Sequence, residues 1–450
     1  RHTGALHPDT PALLEAVAQR MDTRGIEAWF ELDPAELLGD AAPDYAKVTD
    51  TMDVWMDSGV VHHCVPAARP GLGYPADLYL EGSDQHRGWF QSSLLTAVAM
   101  TGRAPYRQVL THGFTVDEKG RKMSKSLGNV VAPQQVVSTL GADILRLWIA
   151  ATDYRGEIGV SDEILKRMAD SYRRIRNTAR YLLGNLDGFD PARHARPVAE
   201  LTALDRWALG RAAALQQELV AAYDSYEFHR VYQLLHNFCV VDLGAFYLDV
   251  LKDRLYTTGR DSGPRRAAQT VLWHLAEAMV RWLAPVLSFT AEEIWRSLPG
   301  DRPASVLLTT WHDFPALPPA EVDWPRLIAV REVVARVLES LREAGAIGSG
   351  LEATVTVFAD GDLAAELRRL GEELRFVFIT SGADVVPLAD APAGAEGGDG
   401  FRVVAVASTD PKCVRCWHRR PDVGVVPAHP EACGRCASNV DGPGETRRWV

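Results

Sequence analysis

The chain has 450 residues, of which 47% are hydrophobic and 24% charged, with a formal net charge of -11. That length makes room for two to four domains, and that balance excludes disorder in favour of a packed protein. The negative total also excludes a generally basic nucleic-acid binder, although local basic patches remain compatible with it because steering follows charge distribution.

No apolar run of membrane-spanning length and no charged-then-apolar leader is expected from the sequence. A cytoplasmic protein without a membrane partner is therefore expected, and a first residue of Arg1 rather than Met is expected of a fragment or a processed chain. Four of the six cysteines stand in a metal-like pattern, and Cys64 and Cys239 are isolated, which suits a reducing compartment better than a disulfide scaffold.

In chain order, Pro11 to Met21 reads as a short helix with Thr10 as its N-cap and Pro11 at its first position. Glu27 to Glu31 reads as a strand or turn. Val54-Trp55-Met56-Asp57-Ser58-Gly59 reads as a strand feeding a loop, with Trp55 a core aromatic by composition alone. Leu78 to Leu80 is a strand that ends in Glu81 and Gly82, followed by a helix from about Asp84 to Met100. This strand, turn and helix order is the mononucleotide-binding half of a doubly wound sheet, whose ligands lie at the carboxyl ends of the strands. Asp84 and Gln85 fall at the helix start, a capping position, and capping alone accounts for Asp84. It does not account for Glu81, Gln85, His86 and Arg87 crowded at one strand end. Gln108 to Val116 is the next strand, breaking at His112-Gly113.

The stretch Arg121-Lys122-Met123-Ser124-Lys125-Ser126-Leu127-Gly128-Asn129 is small, polar and cationic. Gly120 and Gly128 at its edges let the backbone bend. A solvated basic turn describes most Lys/Ser runs. A pair of ammonium groups on flexible stems also suits a polyanion that is gripped briefly and released.

Ala142 to Ala150 is apolar and closes the core. From Val160 to about Trp295 the apolar residues recur at helical spacing, as with Met168, Tyr172, Ile175, Ala179 and Leu182. Antiparallel helices in a bundle are the simplest architecture. Trp207, Trp273, Trp282 and Trp295 read as core. Segment 161–180 holds six basic and three acidic residues, and Arg173, Arg176 and Arg180 share a face distinct from the apolar one. Beyond it, Ala329 to Ala344 reads as an amphipathic helix, Thr354 to Phe358 as a strand, Leu363 to Leu374 as a helix, and Asp390 to Gly400 as a loop or linker.

The last forty residues carry Cys413-Val414-Arg415-Cys416 and Cys433-Gly434-Arg435-Cys436, separated by residues 417 to 432. Two CxxC turns at this spacing complete a tetrahedron of thiolates around one structural Zn²⁺. So small a segment has little core, and the metal supplies much of its folding energy. The rivals are a pair of disulfides, which no secretory signal supports, and a redox CxxC, which the doubling of the motif disfavours. Trp417 and Trp449 lie nearby in a segment with a basic surplus, a combination that suits RNA contact.

The lysine stretch is the KMSKS signature without a change, and Asp77 to Trp148 resembles the bacterial isoleucyl members of the class I aminoacyl-tRNA synthetases. The resemblance covers essentially the whole chain. It implies an α/β plus all-α protein. Residues 1–45 would end an inserted editing region, and 46–158 would be the second half of a Rossmann-like catalytic domain. Residues 159–310 would form a helical anticodon-binding bundle, 311–405 a small mixed domain, and 406–450 the zinc module.

It further implies ATP-dependent activation of isoleucine with Mg²⁺, transfer to tRNA(Ile), and a monomer. Lys125, assisted by Lys122, would neutralise the departing pyrophosphate, with Ser124 and Ser126 donating hydrogen bonds. Glu81 would hold the adenylate near its amino group or ribose, Gly82 would let the backbone approach, and Asp84 and Gln85 would hold the ribose and its surroundings. His112, Gly113 and the backbone of Met123 would flank adenine, and Trp55 and Trp89 would wall the side-chain pocket. Arg173, Arg176, Arg180 and Trp417 would touch tRNA. A dry aromatic pocket rejects an amino acid one methylene smaller only weakly, isoleucine against valine being the standard example, so the parent enzyme would edit.

The family usually has Phe where Met56 stands, a small change in volume. A His-x-Gly-His motif, which the class uses to stabilise the triphosphate, is not found in the sequence. The chain is therefore expected to be a C-terminal portion that does not activate isoleucine by itself. Valyl and leucyl enzymes share the loop and are the near alternatives. A non-catalytic, zinc-containing tRNA-binding protein is the alternative of another kind, and an unrelated nucleotidyltransferase the remotest.

Overall fold

The computed structural model describes residues 3–450, the side chain of Lys125 excepted. The chain forms two units, Arg1–Gly113 and Phe114–Val450.

In the first unit, the helix Thr10–Arg24 has Pro11 in its first turn and ends at Gly25, whose φ of 75° only glycine adopts without strain. It starts one residue earlier than expected, so Thr10 lies inside it and Asp9 precedes it without a side-chain cap. Glu27–Glu31 is a helix, not a strand or turn. Lys47 Nζ donates to the carbonyls of Trp29, Phe30 and Leu32 at 2.9–3.1 Å, satisfying groups that a helix C-terminus leaves open. Val54–Gly59 is also a helix, not a strand, because Asp53 caps it: its carboxylate accepts the Trp55 amide at 2.9 Å. A short apolar run has no period to distinguish the two, and the residue before it decides.

Strands β1 (Ala76–Gly82) and β2 (Tyr106–His112) pair in parallel with Gly82 opposite His112, and the helix Trp89–Thr101 makes the crossover between them. This is the expected βαβ unit. The 3₁₀ turn Ser83–Arg87 intervenes before the helix.

The second unit begins with β3 (Thr115–Val116), paired in parallel with β4 (Ile158–Gly159). Between them run the lysine loop and the helices Pro133–Leu140 and Ala142–Ala151. The buried Asp143 carboxylate accepts the amide and hydroxyl of Thr290 at 2.7 and 2.6 Å. Arg146 donates to the carbonyls of Pro285 and Val286 at 2.7 and 2.8 Å. These bonds fasten the helix after the loop to the bundle.

The bundle comprises Asp162–Asn185, Ala203–Asp224, Phe228–Thr257, Gly263–Leu283 and Ser288–Ser297. Leu182, Leu209, Leu219, Leu272 and Trp282 are fully buried at its centre. Trp295 is buried as well, and Trp207 and Trp273 pack half-buried against the same core, as read from the sequence. Arg254 and Asp205 pair in the interior, joined by the Tyr247 hydroxyl at 2.9 Å.

The helix Phe228–Thr257 corrects one expectation. Over 30 residues, part of them π-helical, it is long and apolar enough by composition to cross a membrane. Scattered polar residues hid this from a search for an unbroken apolar run. Its Val231, Leu235, Phe238, Leu243 and Leu251 face the bundle core.

Beyond the bundle, β5 (Ala353–Ala359) lies between β6 (Gly382–Val386) and β8 (Phe401–Ala407), with β7 (Glu396–Gly398) at the far edge. The helix Trp324–Glu343 covers this mixed sheet. The stretch expected to be a loop thus contributes a short edge strand. The four cysteines form a separate small core of their own.

Candidate functional site

At the carboxyl end of β1, Gly82 is hemmed in by the side chains around it. A Cβ on Gly82 would stand 2.6 Å from Asp84 Oδ1 and 3.7 Å from His112 Cε1. Asp84 and His112 therefore converge over a backbone that must stay bare. His112 Nδ1 faces the Gly113 carbonyl oxygen at 2.8 Å, and since a carbonyl only accepts, Nδ1 is the donor. Glu81 and Asp84 are exposed, and Gln85, His112 and Gly113 half-buried. Gln85 Oε1 accepts the Trp89 amide at 2.9 Å and so caps the crossover helix, a role read for it from the sequence.

A second convergence lies beside the first. A Cβ on Gly88 would meet Gln85 Oε1 at 2.7 Å and the Trp55 ring at 2.9 Å. Trp89 stacks on Tyr79 at 4.3 Å and donates its indole N–H to the Ser58 carbonyl at 2.9 Å. Trp55 is 47% exposed, so it is not the core residue that composition suggests. One tryptophan is thus fixed and the other open to solvent.

In the second unit, Asp117 to Gly120 is a turn with Asp first and Gly last, and Gly120 has a φ of 72°. Lys122 pairs back with Val116, and its Nζ lies 4.8 Å above the Phe114 ring. Lys122 and Ser126 are exposed, and Met123 and Ser124 half-buried. Lys125 opens the 3₁₀ turn Lys125–Leu127, and its side chain lies outside the described residues. Sequence reading missed Asp117 and Phe114 and gave Asn129 no role. The Asn129 amide, and then the amide and guanidinium of Arg121, hold the Asp117 carboxyl well below the ordinary carboxylate range. The spacing Asp-x-x-Gly just before the lysines was the available signal.

The metal centre is the most complete site. All four Sγ atoms of Cys413, Cys416, Cys433 and Cys436 lie within 4.8 Å of one another, and all four residues are buried. Cys416 and Cys433 Sγ stand 3.8 Å apart. A zinc tetrahedron with bonds of about 2.3 Å has edges of about 3.8 Å. The donor set and its spacing therefore fit Zn²⁺. The remaining cysteines are free, and burial pushes the Cys239 thiol up to about 12.

The module is riveted to the bundle by a network absent from the sequence reading. Arg435 makes a two-pronged pair with Asp253 at 2.7 and 2.9 Å, and Arg447 reaches Asp253 and Glu445 at 2.7 Å each. Burial works against ionisation of Asp253, but the Arg435 and Arg447 guanidiniums outweigh it and keep the carboxyl well below its ordinary range. Trp417 projects from this module 62% exposed, and with Tyr256, Phe376 and His418 it lines a cavity of about 540 Å³. Trp449 is buried in the bundle core and does not pack the knuckle. Arg173, Arg176 and Arg180 are exposed on the helix Asp162–Asn185, where Arg173 pairs with Asp170.

Residues 2–161 match the family described as tRNA synthetases class I (I, L, M and V). Residues 205–357 match the anticodon-binding domain of tRNA ligase, and 410–439 the zinc finger found in FPG and IleRS. The chain is 63% identical over its full length to an isoleucine–tRNA ligase of Nitrosococcus oceani, of which it covers 48%. It is 61% identical to those of Methylococcus capsulatus and Alkalilimnicola ehrlichii, covering 49% of each. The chain thus spans about half the length of the curated relatives it matches.

Proposed function

We propose, from the premise that this chain belongs to the isoleucyl branch of the class I tRNA synthetases, that it serves isoleucine–tRNA ligation in the cytoplasm. One observation carries the reading: identity above 60% with isoleucine–tRNA ligases runs the whole length of the chain, through the lysine loop and the cysteine module alike.

The reaction joins two anions. The isoleucine carboxylate attacks the α-phosphorus of ATP, one P–O bond forms, another breaks, and pyrophosphate leaves with the charge. A tRNA ribose hydroxyl then attacks the acyl carbon and AMP leaves. Positive charge that tightens as the leaving group develops lowers the barrier most. Lys125 and Lys122 supply that charge from a loop with exposed polar flanks, and Ser124 and Ser126 donate hydrogen bonds beside them. Mg²⁺ accompanies ATP as part of the substrate.

Glu81, Asp84 and Gln85 hold the amino group and ribose, and Gly82 lets the backbone close on them. His112 and Gly113 take adenine. Trp55 and Trp89 give the isoleucine side chain an apolar slot. Arg173, Arg176 and Arg180 contact tRNA phosphates, and Trp417 offers a ring for a base to stack on. The protein acts as a monomer, and the zinc module holds its tRNA-facing surface in shape.

The test is isoleucine-dependent ATP–pyrophosphate exchange by this chain joined to the other half of a relative. Exchange that favours isoleucine over valine, and that Lys125→Ala lowers by about a hundredfold or more, supports the reading. Exchange indifferent to Lys125, or preferring leucine or valine, overturns it. The chain by itself is expected to give no exchange.

A further inference from the structure

The lysine loop stands on two side chains for which the reaction has no use. One oxygen of Asp117 accepts the amides of Lys119 and Arg121 at 3.0 and 2.9 Å. Its other oxygen accepts Arg121 Nε at 2.9 Å and Asn129 Nδ2 at 3.0 Å. Asn129 Oδ1 in turn accepts the Ser124 amide at 2.9 Å, and its Nδ2 leans toward the Lys122 carbonyl at 3.4 Å. A single carboxylate thus ties together the residues that enter the loop and the residue that leaves it. The asparagine carries that tie to the backbone on both sides of Met123.

The two ends of this tie differ from what lies between them. Asp117 is only 9% exposed, whereas Ser126, Leu127 and Gly128 are exposed. The loop interior is held by short local bonds, Ser124 Oγ to Ser126 Oγ at 3.1 Å and the Leu127 amide to Ser124 Oγ at 3.2 Å. Hydrogen bonds to an ionised carboxylate are stronger than such neutral ones. The stems are therefore fixed and the tip is yielding.

We propose that Asp117 and Asn129 are positioning residues, a clamp that anchors both stems of the lysine loop so that its ammonium groups swing about fixed points onto a polyphosphate. The inference rests on the polyphosphate role of the loop given above. A loop that must grip and release gains from having most of its ordering done beforehand, because less freedom is lost on each closure.

Hydrogen exchange read by mass spectrometry on the 450-residue chain tests it, with and without millimolar Mg·ATP. The variants are Asp117→Asn, Asn129→Asp and the double exchange of the two. The first removes the charge, and the second sets two carboxylates against each other. The double exchange restores one donor–acceptor pair with its direction reversed. In each single variant the amides of Lys119, Arg121 and Ser124 are expected to exchange about tenfold faster, and in the double variant to return to within about threefold of the parent.

Mg·ATP is expected to slow exchange across residues 122–127 in the parent and the double variant, and less in the singles. Unchanged exchange in both singles overturns the clamp, and so does acceleration that spreads through the bundle, residues 162–297. A parent loop that Mg·ATP leaves unaltered overturns the positioning role together with the polyphosphate reading, while the ligand-free rates still decide the clamp.

Discussion

The cysteine module and the lysine loop solve opposite problems with similar means. Both are short, irregular and built around glycine turns, and neither has an extensive apolar core. The module closes on itself: its four thiols are buried, and Asp253, Arg435, Arg447 and Glu445 lock it to the bundle. The loop closes only at its stems, on Asp117 and Asn129, and leaves Lys122 exposed on the Phe114 ring. The difference teaches where rigidity belongs. A structural metal gains nothing from motion, whereas the proposed grip and release of a polyphosphate needs it.

The largest effect should come from the module. Chelation, or Cys436→Ser, is expected to unfold residues 410–441, since zinc binding to such modules contributes on the order of 10 kcal/mol or more at neutral pH. Zinc content should fall from one ion per chain to near none, and amide protection should vanish from that segment alone. Undiminished metal in Cys413→Ser or Cys436→Ser would break the comparison at its rigid end.

Next in size is the lock. Asp253→Ala leaves the Arg435 and Arg447 guanidiniums, 14% and 2% exposed, without their shared carboxylate. Removing one member of a buried ion cluster costs about 3–5 kcal/mol. The denaturant midpoint should drop accordingly, with zinc still bound. The equivalent change at the loop, Asp117→Ala, should leave the denaturant midpoint nearly unmoved, because Lys119 and Arg121, which it holds, are exposed.

Acid separates the two regions by a different route. His274 and His312 face each other at 2.9 Å inside the bundle, and burial, then each one's charged neighbourhood, lowers both to about 4. The unfolded chain, with histidines near 6.5, takes up protons first. Their contribution to stability is therefore complete above about pH 6.5 and is lost as the pH falls toward 4, on the order of several kcal/mol for the pair. Asp117 has the same sign but a lower window, because its carboxyl is held below the ordinary range. Between pH 6.5 and 4 the bundle should weaken while loop protection stays constant. His312→Gln should flatten the fall in melting temperature over that range.

How much of this was legible beforehand follows the same division. The cysteine spacing, the strand ending in Glu81-Gly82 and the KMSKS run are local strings, and local strings survive being read without a structure. The helix at Val54–Gly59 was misread because six residues hold no period, and its one decisive feature, Asp53, stood outside the run. Trp55 was misjudged for a related reason: composition places tryptophans inside, and only the folded chain shows this one half exposed beside Gly88. The Asp253 network joins residues about 180 positions apart, and no pattern in a single sequence marks such a pair.

The smallest expected effect bears on the loose end of the comparison. Lys122 Nζ sits 4.8 Å over Phe114, and an exposed cation–π contact is worth about 0.5–1 kcal/mol. Such a hold is strong enough to bias where the ammonium rests and weak enough to be broken by a stronger partner. Phe114→Leu keeps an apolar side chain and removes the ring face. It should leave the melting temperature within about 2 °C. Acylation of Lys122 by an amine reagent should rise by about two- to fivefold, the ratio that such an energy implies. An unchanged acylation rate would mean that the ring does not restrain Lys122. The loop would then be tethered by its stems alone.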